Sequence, residues 1–164
     1  PVARRDLHLR QGQSVTRPAP GSPGPVPVVC AIIERKGLVL ACRRNPQQTN
    51  AGLWEFPGGK IQDGEAPEAA CVREIKEEVN LDVAIEEPLA QVRHAYSHFR
   101  IHMHVFRCRF TAGRVRLNGP TDHRWVRIAD IDRFAFPGAN HKFIPLLKQP
   151  AAGGTSTRGG KRAA

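Results

Sequence analysis

The segment GKIQDGEAPEAACVREIKEEVNL, residues 59–81, decides the fold and most of the chemistry that the sequence predicts. On a helix, Glu74, Glu77 and Glu78 are spaced i, i+3, i+4, so three carboxylates share one face within about one turn. Like charges at this spacing weaken a helix unless a positive charge lies between them. Hard divalent cations prefer several oxygen ligands, and Mg²⁺ in proteins commonly meets phosphates as well. The segment therefore predicts a site for Mg²⁺, with Mn²⁺ as a substitute, next to a phosphate-bearing substrate.

The spacing of these residues resembles the Nudix box, the signature of hydrolases that cleave nucleoside diphosphates linked to another group. The positions that carry the resemblance are Gly59, Glu65, Arg73-Glu74-Ile75, Glu77-Glu78 and Leu81. One position departs from the pattern, because Asn80 stands where the family has Gly. Asn is the next-best residue for a left-handed helix C-cap, so the departure is mild. A solvated acidic helix is the alternative for an isolated E-x-x-E-E run.

The resemblance implies an α+β fold, an α/β/α sandwich in which a mixed β-sheet packs between helices. The residues themselves indicate a hairpin, because two apolar runs flank Lys36-Gly37, and a helix that begins near Pro67, a residue suited to the first helical turn. Pro145 argues against a long closing helix. We expect one domain over residues 26–149, with a hairpin at 28–33 and 38–41, a helix at 67–79, strands near 83–85, 89–94, 100–110 and 125–128, and a short helix at 143–147.

Both ends of the chain are basic and rich in Pro, Gly and Ser, and the formal net charge of the whole is +10. Such composition buries too little apolar surface to fold, so residues 1–25 and 150–164 are predicted to be disordered tails. Weak, non-specific attraction to nucleic acid is expected of them, although plain solvated termini are the alternative. The four cysteines lack metal or disulfide spacing. No apolar run is long enough for a membrane span, and a reducing cytoplasm fits.

Two segments outside the box resemble the MutT type of this family, which hydrolyses 8-oxo-dGTP to the monophosphate and pyrophosphate. They are LWEFPGGK at 53–60 and FPGAN at 136–140. An aromatic ring such as Phe56 or Phe136 can stack on a purine, and an Asn amide offers both donors and an acceptor. By resemblance, Asn140 reads the oxidised guanine edge. Read alone, Phe136 could equally be a core residue before a turn and Asn140 a helix N-cap.

The resemblance also assigns roles to individual residues. It implies that Glu74, Glu77 and Glu78 bind the metal with the Gly58 carbonyl, and that cleavage falls between the α- and β-phosphates with attack on the β-phosphorus. Residue chemistry adds further candidates: Lys60 for the charge on the leaving phosphate, Arg44 for a phosphate, Arg73 for a structural ion pair with Glu65, and Asp122 as an acid outside the box, for which a surface turn is the alternative.

Other functions remain open from the sequence. The family includes hydrolases of CTP, modified dCTP and nucleotide sugars. The segment Tyr96-Ser97-His98 is similar to one in the Nudix-like domain of adenine DNA glycosylases, a non-catalytic module that recognises 8-oxoguanine in DNA. The box glutamates favour an enzyme acting on a small nucleotide, with no specific nucleic-acid partner and no membrane. The alternating His102 and His104 suit the polar face of a strand better than a transition-metal site, because no ligand partner stands at suitable spacing.

Overall fold

The computed structural model describes residues 23–149, so both predicted tails lie almost wholly outside the described residues. No helix within that range is long and apolar enough to cross a membrane. Seven strands, three α-helices and one 3₁₀ helix follow one another. Their bounds are β1 Val26–Arg35, β2 Leu38–Arg43, β3 Trp54–Glu55, β4 Gly58–Lys60, α1 Pro67–Val79, β5 Leu81–Ala95, β6 Arg100–Gly113, β7 Asp122–Arg127, the 3₁₀ helix Ile128–Arg133, α2 Gly138–His141 and α3 Ile144–Leu147.

The strands form one mixed sheet in the order β3-β2-β1-β6-β5, with β4 also pairing with β1 and β7 with β2. The central pair β1–β6 is parallel, with Val26 opposite Ile101 and Glu34 opposite Arg109. The other pairs are antiparallel. A parallel pair needs a long crossover connection, and here the crossover carries α1 onto one face of the sheet.

Each face of the sheet is covered by its own core. On one face, alternate residues of β1 such as Ala31 and Ile33 pack against α1, whose Ile75 is fully buried. On the other face, Ile32 and its neighbours pack against Phe143 and the C-terminal helices. Strict alternation along β1 explains the division, because successive side chains of a strand point to opposite faces. The predicted α/β/α sandwich is confirmed.

Helix α1 has the predicted bounds. Pro67 occupies its first turn, and Asn80 ends it in the left-handed region with φ of 60°. The Asn80 backbone N–H donates to the Lys76 carbonyl, and its side-chain Nδ2 donates to the Arg114 carbonyl at 3.1 Å. The polar side chain thus adds a bond that glycine lacks, which explains how Asn replaces Gly here. The apolar side chains of the helix that face the sheet are fully buried: Ala70, Cys71, Ile75 and Val79.

Three details of the prediction were wrong. The strands expected at 83–85 and 89–94 are one strand, β5, because register shifts near Ile85 and Pro88 let the proline sit in the ladder as an irregularity. Ile128, expected at the end of the last strand, begins the 3₁₀ helix instead. Asn140 lies inside the short helix α2 and is not an N-cap; the N-cap is Pro137.

A buried arginine ties the last described residues to the sheet. Arg107 in β6 is only 5% exposed, and its Nη1 donates to Glu34 Oε1 at 2.7 Å. Its Nε lies 3.3 Å from Glu87 Oε1, an ion pair without hydrogen-bond geometry. Its Nη2 donates to the carbonyls of Leu146 and Gln149 at 3.3 and 3.5 Å. A buried charge needs such partners, so the end of the domain is fixed to its centre.

Candidate active site

Two glycines bring the loop before α1 against both β1 and the acidic helix. A Cβ at Gly58 would lie 2.1 Å from the Val29 carbonyl oxygen, and a Cβ at Gly59 would lie 2.3 Å from Glu74 Oε2. Real Cβ atoms do not approach so closely, and at Gly58 the obstacle is backbone, so this position requires glycine. At Gly59 a side chain would displace the Glu74 carboxylate. The Gly58 backbone N–H donates to Glu78 Oε2 at 2.9 Å. Strand β4 therefore places two of the predicted metal-binding carboxylates next to the Gly58–Gly59 backbone.

Arg73 holds the box together as a hub of hydrogen bonds. Its Nε and Nη2 donate to the two oxygens of Glu65 at 2.7 and 2.9 Å, and Nη2 also donates to the Lys60 carbonyl at 3.0 Å. Its Nη1 donates to Glu74 Oε1 at 2.9 Å and to Glu77 Oε2 at 3.1 Å. The bidentate pair lowers the pKa of Glu65 to about 2. The ion pair expected between Arg73 and Glu65 is present.

Glu78 differs electrostatically from the rest of the box. Burial and, to a lesser extent, the carboxylates of Glu55 and Glu74 raise its pKa to about 8, and the hydrogen bond from Gly58 opposes the rise. The Glu55 side chain is 16% exposed, and this partial burial raises its pKa while its ion pair with Arg44 opposes that rise. The sequence reasoning missed Glu55. Its place in the Trp54-Glu55-Phe56 segment before the glycines was the available signal, but nothing local shows that it faces Glu78.

The oxygen donors suit a hard divalent cation, although their side chains do not converge on one point in this structure. Among residues 23–149, no three Asp, Glu, His or Cys side chains are arranged to hold a metal ion as they stand. Arg73 engages Glu74 and Glu77, which accounts for their present directions. Carboxylate and carbonyl oxygens are the ligands that Mg²⁺ prefers. Burial is the main cause of the raised pKa of Glu78, and a bound cation would lower that pKa by favouring the carboxylate form.

A cavity of about 190 Å³ runs from this loop to the end of the β5–β6 hairpin. Gly58 and Gly59 line one end, which we call the carboxylate end. Tyr96, Phe99 and Asn140 line the other, which we call the aromatic end. One concave, largely apolar cleft with a few polar groups is the usual form of a small-molecule site.

The aromatic end is built by the hairpin turn. The Tyr96 backbone N–H donates to the Phe99 carbonyl at 2.8 Å, and the two rings lie 4.9 Å apart between centroids. His94 packs edge-on against Tyr96 at 4.6 Å. Phe99 is 39% exposed, which is unusual for a large apolar side chain in this molecule. The sequence reasoning did not assign these two rings to the site, because only the long hairpin carries them to the box.

Comparison with known proteins agrees with this geometry. A family profile described as "NUDIX domain" matches residues 28–146, most of the chain. The chain belongs to the NUDIX domain family. It is 41% identical over 81 residues to a CTP pyrophosphohydrolase of Escherichia coli (strain K12), an alignment covering 49% of this chain and 60% of that protein. It is 26% identical over 122 residues to an 8-oxo-dGTP diphosphatase of Buchnera aphidicola subsp. Schizaphis graminum, covering 74% and 92%.

Solved structures agree at the level of the fold. The MutT protein from Methanosarcina mazei Go1 superposes with a TM-score of 0.68 at 27% identity, covering 73% of this chain and 90% of that one. The Nudix fold expected from residues 59–81 and the MutT-type resemblance expected from residues 53–60 and 136–140 are therefore confirmed, while the relatives' names divide between two substrates.

Three of the four predicted substrate-binding residues of this Nudix domain line the cavity, and Phe136 does not. Asn140 is 5% exposed and lines the cavity. Phe56 also lines it, but Phe136 lies behind Phe56, stacked on it at 4.9 Å, and does not reach the cavity. Arg44 lines the cavity while bound to Glu55.

Two further candidates lie outside the lining. The Lys60 side chain is exposed, and only its carbonyl joins the box network. Asp122 begins β7 and is engaged by Arg124 at 2.7 Å and by the His123 backbone N–H at 2.7 Å. The structure thus favours the surface-turn interpretation of Asp122, and Glu55 is the buried acid outside the box.

Proposed function

We propose that this protein is a divalent-metal-dependent nucleoside triphosphate pyrophosphohydrolase, and that its substrate is 8-oxo-dGTP, cut to 8-oxo-dGMP and pyrophosphate. The observation that carries the proposal is a single cavity with Gly58, Gly59 and Glu55 at one end and a buried amide, Asn140, beside two aromatic rings at the other. The box carboxylates Glu74 and Glu78 lie against the two glycines. A nucleotide needs both kinds of surface, because its phosphates are anionic and its base is flat and apolar.

At the carboxylate end, Glu74, Glu77 and Glu78 with the Gly58 carbonyl would hold Mg²⁺ or Mn²⁺. The bound metal neutralises phosphate charge and lowers the pKa of an attacking water. Arg44 can donate to a phosphate once it leaves Glu55, and Lys60 remains a candidate for the leaving phosphate charge. Glu78, whose pKa is raised, and the neighbouring Glu55 are the candidate acids to accept a proton from the attacking water.

At the aromatic end, Asn140 is suited to reading the oxidised base. Guanine presents only acceptors, O6 and N7, along this edge, whereas 8-oxoguanine carries a hydrogen on N7. An Asn side chain can accept from that N–H and donate to O6 at the same time. The hydrogen bonds of Asn140 within α2 use its backbone groups, with N–H donating to Pro137 and the carbonyl accepting from Phe143, so the amide is available to a ligand. Tyr96 and Phe99 are positioned to stack on the base.

A CTP pyrophosphohydrolase is the second candidate, because a relative of that name shares 41% identity over 81 residues. Cytosine also presents a donor, its 4-amino group, beside a ring acceptor, and the Asn140 amide complements that pair as well. A cytosine ring offers less stacking surface than a purine. The two candidates share the carboxylate end and differ only in what occupies the aromatic end.

The test is pyrophosphate release in Mg²⁺ from 8-oxo-dGTP, dGTP, CTP, dCTP and ADP-ribose. We expect strong preference for 8-oxo-dGTP over dGTP, reduced by Asn140→Ala because the purine edge is no longer read. Glu78→Gln is the matched control, since it should stop turnover of every substrate equally. Preference for CTP would replace the substrate and keep the chemistry. No turnover by folded protein would overturn the enzyme proposal in favour of a lesion-binding module.

A further inference from the structure

His94 lies between the two elements of the aromatic end that would contact a base. Tyr96 lines the cavity from the turn after β5, and Asn140 lines it from α2. The His94 side chain does not itself line the cavity. Its ring packs edge-on against Tyr96, with the ring centroids 4.6 Å apart, and also lies against Gly138, the first residue of α2. The imidazole therefore separates the ring that would stack on a base from the helix that carries the reading amide.

The contact between His94 and Gly138 is close and specific. A Cβ at Gly138 would lie 3.1 Å from His94 Cε1 and 3.2 Å from His94 Nε2. Apart from chain neighbours and the backbone of α2, no other described atom lies within 4 Å of that point. Gly138 is not at positive φ, so its own conformation does not demand glycine. The absence of a side chain there gives the imidazole its place against α2.

A second contact joins α2 to β5 beside the first. Lys142 directly follows α2, and its Nζ donates to the Arg93 carbonyl at 2.6 Å. Arg93 precedes His94 in the strand, so the helix is held to β5 at two adjacent positions. The lysine contact pulls the two elements together, and the imidazole sets how closely they approach. Loss of the imidazole leaves the lysine contact in place, so the domain should still fold without it.

The surroundings of His94 suit a neutral ring. Its Nδ1 is buried and has no hydrogen-bond partner among residues 23–149. An imidazolium needs acceptors for two N–H groups, and no acidic residue of the described chain lines the groove around this ring. Burial, and then the charge of Lys142, lower the pKa of His94 from its ordinary value of 6.5. The titratable or charged neighbours are Tyr96 and Arg93 on its own side, Arg100 in β6 and Lys142 after α2.

The spacing between Tyr96 and Asn140 matters because one base must meet both at once, with its face on the ring and its edge at the amide. Small misplacements of a bound substrate have large effects on rate. We propose that His94 is a positioning residue for base discrimination, whose neutral ring sets the distance between the Tyr96 ring and the Asn140 amide. This inference rests on the proposed nucleotide hydrolysis and names what adjusts the base specificity of that site.

The experiment measures discrimination, defined as the ratio of kcat/KM for 8-oxo-dGTP to kcat/KM for dGTP in Mg²⁺. The two substrates share the triphosphate, so titration of the phosphates and of the metal-binding carboxylates affects both alike. The variants are His94→Ala, Gly138→Ala and the double variant. His123→Ala is the matched control, because this histidine lies in β7 and lines neither the cavity nor the groove around His94. Thermal unfolding of each variant is recorded in parallel.

The double variant gives the sharpest expectation. Gly138→Ala should lower discrimination about threefold, in the range of coupling between contacting residues, because its methyl group displaces the imidazole. His94→Ala should lower it roughly tenfold through KM for 8-oxo-dGTP, with kcat little changed. The double variant should be no worse than His94→Ala, because the added methyl group then meets no other atom. The control should keep wild-type discrimination.

The pH profile adds a readout that a purely structural role would not move. The neutral ring fits its place, so the contact is fully present above the ordinary pKa of 6.5 and is lost as the pH falls through the lowered pKa of His94. Wild-type discrimination should therefore decline below pH 6.5. In His94→Ala it should be low and independent of pH over the same range.

An equal loss of kcat/KM for both substrates in His94→Ala, with discrimination unchanged, would overturn the inference, as would independent effects of the two substitutions. If CTP proves to be the substrate, the 8-oxo-dGTP proposal fails, and the same expectations apply to CTP against UTP. If no nucleotide is cleaved, the hydrolase proposal fails, and the ratio of Kd values for dGMP and 8-oxo-dGMP, from calorimetry, replaces the kinetic ratio. Non-additive loss of that ratio would support the role of His94, and absence of binding would overturn it.

Discussion

Ionisation of Glu78 is expected to lower the stability of the fold, although the ionised form is the one that would bind a metal. Its pKa of about 8 in the folded chain exceeds the ordinary value of 4.5 because the carboxyl group is buried near Glu55 and Glu74. The folded state therefore holds this proton more tightly than the unfolded state. Stability contributed by the protonated group is fully present below pH 4.5 and is lost as the pH rises through about 8.

The magnitude follows from the shift. One pKa unit corresponds to about 1.4 kcal/mol, so a shift of this size sets an upper limit of about 5 kcal/mol. Relaxation of the site reduces the expected effect to roughly 2–3 kcal/mol, in line with the usual cost of an uncompensated buried group. Glu78→Gln keeps the shape and the acceptor for the Gly58 N–H but cannot ionise. At pH 9, without metal, the variant should be more stable than the wild type by that amount, and at pH 5 the two should be nearly equal.

The assay is urea unfolding at both pH values in the presence of a chelator. Glu77→Gln is the control, because it removes the same charge from a side chain that is 57% exposed. Burial raises the pKa of the Cys30 and Cys42 thiols, so both lower stability at pH 9, but they do so equally in all variants and cancel in the difference. Adding Mg²⁺ at pH 9 should stabilise the wild type more than Glu78→Gln. If the difference between wild type and Glu78→Gln is the same at pH 5 and pH 9, the reasoning about buried charge is refuted.

Three further predictions follow from the geometry of the site. Gly58→Ala forces β4 away from Val29 and should cost about 3 kcal/mol or more in urea unfolding; an unchanged midpoint would show that the loop yields freely. Arg73→Lys cannot maintain the forked contacts to Glu65 and Glu74, so kcat should fall roughly tenfold or more in steady-state assays while the fold survives; wild-type kcat would argue against the hub. Tyr96→Ala should raise KM about 5- to 100-fold, from about 1–3 kcal/mol of lost stacking per base, with little change in thermal stability; an unaltered KM would place the base elsewhere.

The local parts of this structure were predictable because their signals are local. Helix α1 has the expected bounds because a proline at its start, a left-handed residue at its end and an apolar stripe all agree within residues 67–80. The hairpin of β1 and β2 follows from Lys36-Gly37, both at positive φ. Strand β5 was harder, because Pro88 normally ends a strand and only the register shifts beside it reconcile the residue with the ladder.

The wider site was not predictable in the same way. Glu55 faces Glu78, and Tyr96 approaches Asn140, only because strands distant in sequence pair with one another. Aromatic character alone did not separate Phe56, which reaches the cavity, from Phe136, which supports it from behind. The box pattern specifies what surrounds the phosphates, whereas the surroundings of the base depend on the register of the β5–β6 hairpin.

Arg107 sets a limit on how far this domain can be shortened at its carboxyl side. The family match ends at Leu146, but the guanidinium also holds the carbonyl of Gln149. A chain trimmed to the family boundary would leave this buried cation with one acceptor fewer, and the loss of a hydrogen-bond partner from a buried group commonly costs about 1–3 kcal/mol. Truncated and fused versions of the domain should therefore retain residue 149, so that the Arg107 guanidinium keeps all of its hydrogen-bond acceptors.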